Sequence, residues 1–431
     1  MIKILNINGN IEKLKAEMLD SNQIDNKEVR ESVIDIINAV RKNGDKALRK
    51  LTKKFDKADL EELEVTEDEI MKAYEIVPDR ILAILEEAAG NIEAYHKKQL
   101  EKTWIDTDKE GIILGRKVSA IENAGVYVPG GLAPLPSSVL MNIIPAKVAG
   151  VENIVMCTPP DKDGKIAPVI LAAAGIAGAD RVFKLGGAQA IAAMAFGTES
   201  VPKSDKIVGP GNIYVSIAKK EVFGYCDIDM FAGPSDILII ADDDAELEFI
   251  AADFLSQAEH DVMAKSVAIV FDTEKAEKLS REIERQAKEL TRYEIVKESL
   301  ENNGLILIAD DMDSAIDVSN ILAPEHLELM VKEPFKYLNS IKNAGAIFMG
   351  YYSSEPLGDY FAGPNHVLPT NGSARFFSPL GTEQFLKKSS IISYDREALM
   401  TVADRIEDFA LAEGLDAHAN AIRIRKGKKE K

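Results

Sequence analysis

The sequence predicts an α/β fold organised on parallel sheets. Three observations carry this. Between Val118 and Ala241 short apolar runs alternate with short helical runs, the pattern of strand–helix–strand units. Glycines stand where the apolar runs end, as at Gly130-Gly131, Gly186-Gly187 and Gly209-Pro210-Gly211. The segments before and after this texture carry helical periodicity instead.

In chain order, residues 1–25 read as a strand-like run (Ile2, Ile4, Ile7) followed by a short polar helix, and Asn26 reads as an N-cap. Val29, Val33, Ile36, Ile37 and Val40 form one helical face that stops at Gly44, and Asp45 starts another helix through Phe55. Thr66-x-x-Glu69 is a capping box, and Pro78 stands at the start of the next helix. His96 lies among lysines and reads as solvent-facing. From Val126 the apolar runs are Val126–Val128, Asn153–Met156, Arg181–Leu185, Lys206–Val208 and Ile237–Ala241, with helices between them. In such sheets ligands bind at the carboxyl ends of strands, where these glycines fall. No GxGxxG is present, so the glycines equally suit tight turns alone.

Asp242, Asp243 and Asp244 precede a helix whose Leu247, Ile250, Phe254 and Leu255 share a face, and on which Gln257 and His260 are three residues apart. Strand–helix texture resumes at Val267–Phe271. A charged helix covers Glu274–Leu290, and strand-like runs lie at Leu305–Ala309 and Ala346–Met349 with a helix between them. Pro324 reads as opening a helix with Glu325 and His326 in its first turn. Residues 350–385 form a long Gly- and Pro-rich loop, of the kind that usually carries function. Two helices close the chain, one ending near Gly414 and one from Asp416 to Ile424.

A chain of 431 residues exceeds a single core, so two or three domains are expected. A formal net charge of -19 disfavours nucleic acid and anionic membranes as partners. No apolar run is long enough to span a bilayer, and MIKILNINGN lacks a signal-peptide pattern. Cys157 and Cys226 offer neither a disulfide framework nor a CxxC site, and both read as buried. The expected location is the cytoplasm.

Four of the five histidines, His260, His326, His366 and His418, stand beside acids or amides in loops or at helix ends. Asp359, His366 and Glu325-His326 flank Gly or Pro breaks, where loops deliver side chains to a site. Imidazole with carboxylate and amide oxygen, and no cysteine, is the donor set of an exchangeable catalytic zinc or similar divalent ion. Glu325 beside a neutral His326 makes a useful pair of bases near neutral pH.

Seven segments in order, VYVPGG (Val126–Gly131), LGGAQAIAAMAFGT (Leu185–Thr198), VGPGNIYV (Val208–Val215), DMFAGPSD (Asp229–Asp236), SQAEHD, APEHLEL (Ala323–Leu329) and GDYFAGPNHVLPT (Gly358–Thr370), resemble histidinol dehydrogenase. The resemblance implies two Rossmann-like parallel-sheet domains, a helical N-terminal region and a helical C-terminal dimerisation tail. The division it suggests is an N-terminal arm (1–23), a main domain (24–126 and 238–380), an NAD-binding domain (127–237) and the tail (381–431). It implies oxidation of L-histidinol to L-histidine in two NAD-dependent steps through an enzyme-held aldehyde, in an intertwined homodimer with one zinc per subunit. The zinc ligands would be Gln257, His260, Asp359 and, reaching over from the partner, His418. These four, with Ser235, Glu325, His326, His366 and Glu413, would line the substrate. Glu325 and His326 would be the acid/base residues, and Tyr127, Gln189 and Asn212 would contact NAD. A related dehydrogenase for another primary alcohol would share these residues. A metal-binding assembly protein without turnover predicts a broken Glu325-His326 pair or a missing Gln189 or Asn212, and all four are present.

Overall fold

The computed structural model describes residues 2–7, 27–130, 134–230 and 233–427. They form two compact units, one from residues up to 99 together with 121–385, the other from 100–120 together with 386 onward. The polar helix expected before residue 25 and the Asn26 cap lie outside the described residues.

The first unit opens with β1 (Lys3–Asn6) and the helices α1 (Lys27–Phe55), α2 (Glu67–Ile76) and α3 (Asp79–His96). The expected apolar stripe of α1 buries Val33, Ile36, Ile37 and Val40, and the chain kinks at Gly44 (φ 50°, ψ −134°), a conformation that glycine adopts without strain. Thr66 and Glu69 form the expected capping box. Thr66 Oγ1 accepts from Glu69 N–H at 3.2 Å, and the Glu69 carboxylate accepts from Thr66 N–H at 2.8 Å. The reading of His96 fails. It is fully buried, with Nδ1 2.7 Å from Ile92 O and Nε2 3.4 Å from Asn365 Nδ2, because a distant loop covers a helix end that looks solvated in isolation.

Strands β2 (Trp104–Asp106) and β3 (Ile112–Ala120) belong to the second unit. The first unit continues with β4 (Asn123–Tyr127), α4 (Pro136–Ala149), β5 (Asn153–Thr158), α5 (Pro168–Ala177), β6 (Arg181–Lys184), α6 (Gly187–Phe196), β7 (Lys206–Val208), α7 (Ile213–Val222) and β8 (Asp227–Ile228). Their sheet is wholly parallel, in the order β6-β5-β4-β7-β8. The chain winds one way from β4 and then crosses to β7, which leaves a switch point between the carboxyl ends of β4 and β7. The stripe of α1 shares one core with this sheet, including Val155, Phe183, Ile191 and Val215.

A second parallel sheet has the order β1-β11-β10-β9-β12-β13. It comprises β9 (Asp236–Ala241), α8 (Leu247–Ala258), β10 (Lys265–Val270), α9 (Thr273–Ala287), α10 (Tyr293–Asn303), β11 (Gly304–Ile308), α11 (Met312–Leu322), β12 (His326–Met330), β13 (Ala346–Met349) and the short α12 (Glu355–Tyr360). Here the expectation of a helix after Pro324 is corrected. Residues 326–330 are a buried central strand, with His326 paired to Ile237 and to Ala346. Leu327 and Leu329 enter the core on one face, and Met330 enters the core of α8 and α9 on the other. The strand's period of two therefore places His326 and Glu328 on the side of α8.

The second unit is an antiparallel sheet, β14-β3-β2, with β14 (Leu386–Tyr394) paired along all of β3. Its helices α13 (Arg396–Ala412) and α14 (Asp416–Gly427) form a hairpin tied by Arg423 to Glu407 at 2.6 and 2.8 Å. The tail reads as helical from sequence, whereas the sheet before it does not. Its strands are largely exposed and carry no apolar alternation.

At Gly209 the backbone has φ 115°, and a Cβ would lie 2.0 Å from Tyr127 O. Neither group is a flexible side chain. Gly209→Ala is therefore expected to cost about 1–3 kcal/mol in backbone strain alone. Thermal unfolding should show this as a midpoint lowered by several degrees.

Candidate active site

The site grows from the amino edge of the six-stranded sheet, where β9 and β12 begin side by side. Asp236 and Glu325 lock each other there. The Asp236 carboxylate accepts from Glu325 N–H at 2.8 Å, and the Glu325 carboxylate accepts from Asp236 N–H at 3.1 Å. Glu325 and His326 are 5% and 4% exposed. His326 Nδ1 lies 3.2 Å from Asp236 O, a contact in which the ring nitrogen donates, so Nε2 is left as the basic atom. That Nε2 is buried without a hydrogen-bond partner and lies 3.8 Å from Asp359 Oδ1.

Burial pushes the Glu325 carboxyl up to about 8, with Asp236 and Asp359 adding to the rise against the pull of His326. For His326 burial works the other way, but Glu325, Asp359 and Glu355 outweigh it and raise the imidazole well above its usual range. Both shifts have one meaning: a carboxylate-rich pocket closed to water retains protons. This corrects the neutral His326 and the pair of bases expected from sequence. Asp359, although penalised by burial, is held below the usual carboxylate range by His326, His366 and His260. Burial lowers His366, whose Nδ1 donates to Asp359 O at 3.0 Å and whose Nε2 lies 3.4 Å from Ser138 Oγ.

Helix α8 ends at Ala258, so Gln257 sits in its last turn and His260 just beyond, its N–H donating to Gln257 O at 3.2 Å. Gln257 is fully buried, yet neither its amide oxygen nor its nitrogen has a partner. One ligand atom each from His260, Glu355 and Asp359 lies within 4.8 Å of the others. An orphaned amide in the last turn before His260, together with this imidazole and carboxylate group and no thiol, fits a divalent cation of the zinc or similar class. Ser235, next to Asp236, is half-buried, and its backbone carbonyl accepts from Lys265 N–H at 3.0 Å. Glu413 caps the end of α13 and His418 lies in the first turn of α14. Both are exposed and belong to the second unit.

Glu355, Glu328 and Asp253 escape the sequence reading. Glu355 and Asp359 are four residues apart on α12 and share its face, which is the local signal that could have found the first of them. Glu328 follows from the strand period of β12 only once that strand is known.

At the other sheet, Tyr127 ends β4 at the switch point, and its buried hydroxyl accepts from Gly187 N–H at 3.0 Å, at the start of α6. Gln189 is buried in the first turn of α6. Asn212 caps α7, its Oδ1 accepting from Tyr214 and Val215 N–H at 3.0 and 3.2 Å. The loop bearing His366 reaches this half as well, through Ser138 and through Asn365, whose Nδ2 donates to Met141 O at 2.7 Å.

A sequence model of histidinol dehydrogenase matches residues 19–426. The chain belongs to the histidinol dehydrogenase family. It is 53% identical over 401 residues to the histidinol dehydrogenase of Clostridium acetobutylicum, covering 93% of each chain. It is 52% identical over 424 residues to that of Bacillus licheniformis, covering 98% of this chain and 99% of the relative. The crystal structure of the histidinol dehydrogenase of Elizabethkingia anophelis superposes with a TM-score of 0.93 at 39% identity, over 98% of both chains. The α/β fold with helical ends expected from sequence is thus the family's fold.

Neither cysteine has the setting of an aldehyde-attacking thiolate. Burial raises the Cys157 thiol beyond its usual range and pushes Cys226 up to about 12. A raised thiol pKa keeps the unreactive protonated form at every working pH. In the native protein a disulfide reagent at pH 8 should therefore label neither cysteine, and both should react after denaturation. Cys157→Ala should keep its turnover.

Proposed function

We propose that the site oxidises L-histidinol to L-histidine in two steps, with Glu325 and His326 as its acid/base residues. As a member of its family the chain is an oxidoreductase acting on histidinol in histidine biosynthesis. One observation carries the residue-level reading: the buried Glu325–His326 pair leaves His326 Nε2 unpartnered beside Asp359. Hydride leaves an alcohol carbon as its O–H proton is taken, and His326 Nε2 is the base placed to take it, once a cation offsets the Asp359 and Glu355 charges that otherwise hold its proton. The aldehyde must then be hydrated before its second oxidation, and Glu325 takes the proton of the attacking water. The alcohol step releases one proton and the aldehyde step, which takes up water and ends in a carboxylate, releases two, and the pair passes them to solvent.

A zinc ion held by Gln257, His260, Asp359 and the partner subunit's His418 would orient the substrate's imidazole and amino nitrogens, and bound NAD would accept each hydride. Ser235, Glu413 and His366 would complete the substrate's surroundings. The switch point at Tyr127 and Gly209, with Gln189 and Asn212 beside it, supports the five-stranded sheet as the nucleotide half. Self-association is supported by the second unit's exposed Trp104, Ile105, Ile392, Phe409 and Ile424. No helix among the described residues is long and apolar enough to cross a membrane, and we place the enzyme in the cytoplasm.

Two NADH per L-histidinol consumed is the expected stoichiometry, measured against a panel of other amino alcohols and diols. A better substrate in that panel would point to a different primary alcohol. His326→Asn should lower kcat by roughly 10²–10⁴-fold with little change in histidinol binding. Glu325→Gln should slow aldehyde oxidation more than alcohol oxidation. The Glu325 carboxyl, raised to about 8, is a base only when deprotonated. The aldehyde step should therefore accelerate as pH rises toward 8, a bound cation shifting this limb lower, and the limb should vanish in Glu325→Gln. A mixed dimer of Asp359→Ala and His418→Ala chains should regain activity that neither parent shows, whereas no recovery would place both residues in one subunit's site.

A further inference from the structure

Four carboxylates crowd the side of β12 turned to α8. They are Asp253, Glu328, Glu355 and Asp359, the first three 8%, 0% and 2% exposed. Among the described residues no lysine or arginine pairs with any of them. Buried carboxylates without basic partners demand protons or a cation. Burial raises the carboxyls of Asp253, to about 6, and of Glu328, so these two meet the demand by retaining protons. Glu355 is held differently. Its N–H donates to Glu328 Oε1 at 2.8 Å, and its Oε2 accepts from Ser256 Oγ at 2.6 Å. Its other oxygen, Oε1, lies 3.8 Å from His260 Nε2.

A carboxylate serving structure alone would have both oxygens paired. Here one oxygen is tethered and the other is aimed at the nitrogen of a candidate ligand. Donors that sit roughly 2.0–2.2 Å from one zinc ion lie about 3–4 Å from each other. The 3.8 Å separation fits that spacing, and Asp359 stands in the same group. Gln257, with its wholly unpartnered buried amide, is the residue after Ser256. Taking the cation reading above as its basis, we propose that Glu355 is a further donor at the cation site and that Ser256 is a positioning residue that turns its free oxygen inward.

The test uses the metal-stripped dimer titrated with Zn²⁺ against a chromophoric chelator, so that affinity is read without turnover. Glu355→Gln should weaken zinc about 10–100-fold, and Ser256→Ala by a smaller factor in the same direction. Glu355→Asp, which keeps the charge and withdraws the oxygen, should fall between Glu355→Gln and the parent. The unfolding midpoint of stripped Glu355→Gln should not fall below that of the stripped parent, because one repelling charge is gone and the shape is kept. The rise in midpoint on adding Zn²⁺ should shrink. Zinc affinity within twofold of the parent in both Glu355 variants, with His260→Ala strongly weakened, would overturn the Glu355 assignment alone. Parental affinity in His260→Ala as well would remove the cation reading itself.

Discussion

Two hydrogen bonds between Asp236 and Glu325 hold the first residues of β9 and β12 together. The candidate chemistry depends on this clamp. It points the Glu325 carboxylate inward, and it places Asp236 O where it receives the His326 ring. A carboxylate buried as deeply as Glu325 would be costly if left loose, and the reciprocal geometry offsets that cost by giving each carboxylate a backbone N–H donor. Rotation of either side chain would break one of these two bonds and leave a buried backbone N–H without its partner.

The two parallel sheets of the first unit present opposite edges to their candidate ligands. The five-stranded sheet offers the carboxyl ends of β4 and β7, the usual edge for a switch point. The six-stranded sheet offers the amino ends of β9 and β12, with the C-terminal turn of α8 arriving beside them. An amino edge has no ready-made dipole site for an anion, so the chemistry there rests on side chains. Asp236, Glu325, His326 and Asp359 supply it, and their mutual fields set one another's protonation.

Local signals were legible in the sequence where local physics decides the outcome. The Thr66–Glu69 capping box, the kink at Gly44 and the paired tail helices follow from neighbouring residues alone. The parallel sheets were legible because buried strands read as continuous apolar runs between glycine turns. The failures share a cause, namely dependence on distant partners. His326–Met330 looks like a helix start after a proline and is a strand because β9 and β13 flank it. The β2–β3–β14 sheet lacks a buried face that would impose alternation. His96 is sealed by Asn365, far along the chain. The candidate site residues were read through family motifs, whereas spacing alone suggested only a cation and a base. Glu355 stayed hidden because its significance lies in what Ser256 and His260 do to it in space.

Strand β1 is the outermost strand of the six-stranded sheet, where Lys3 pairs with Leu305. During synthesis its docking strip therefore emerges from the ribosome about 300 residues after β1 itself, and joining them closes a very large loop in one late step. Until then β11 has an unsatisfied edge, open to pairing with the same strand of another nascent chain. Strand β1 thus acts as the last stave of the sheet, and obstructing it exposes that edge to aggregation while the candidate site itself is unaltered.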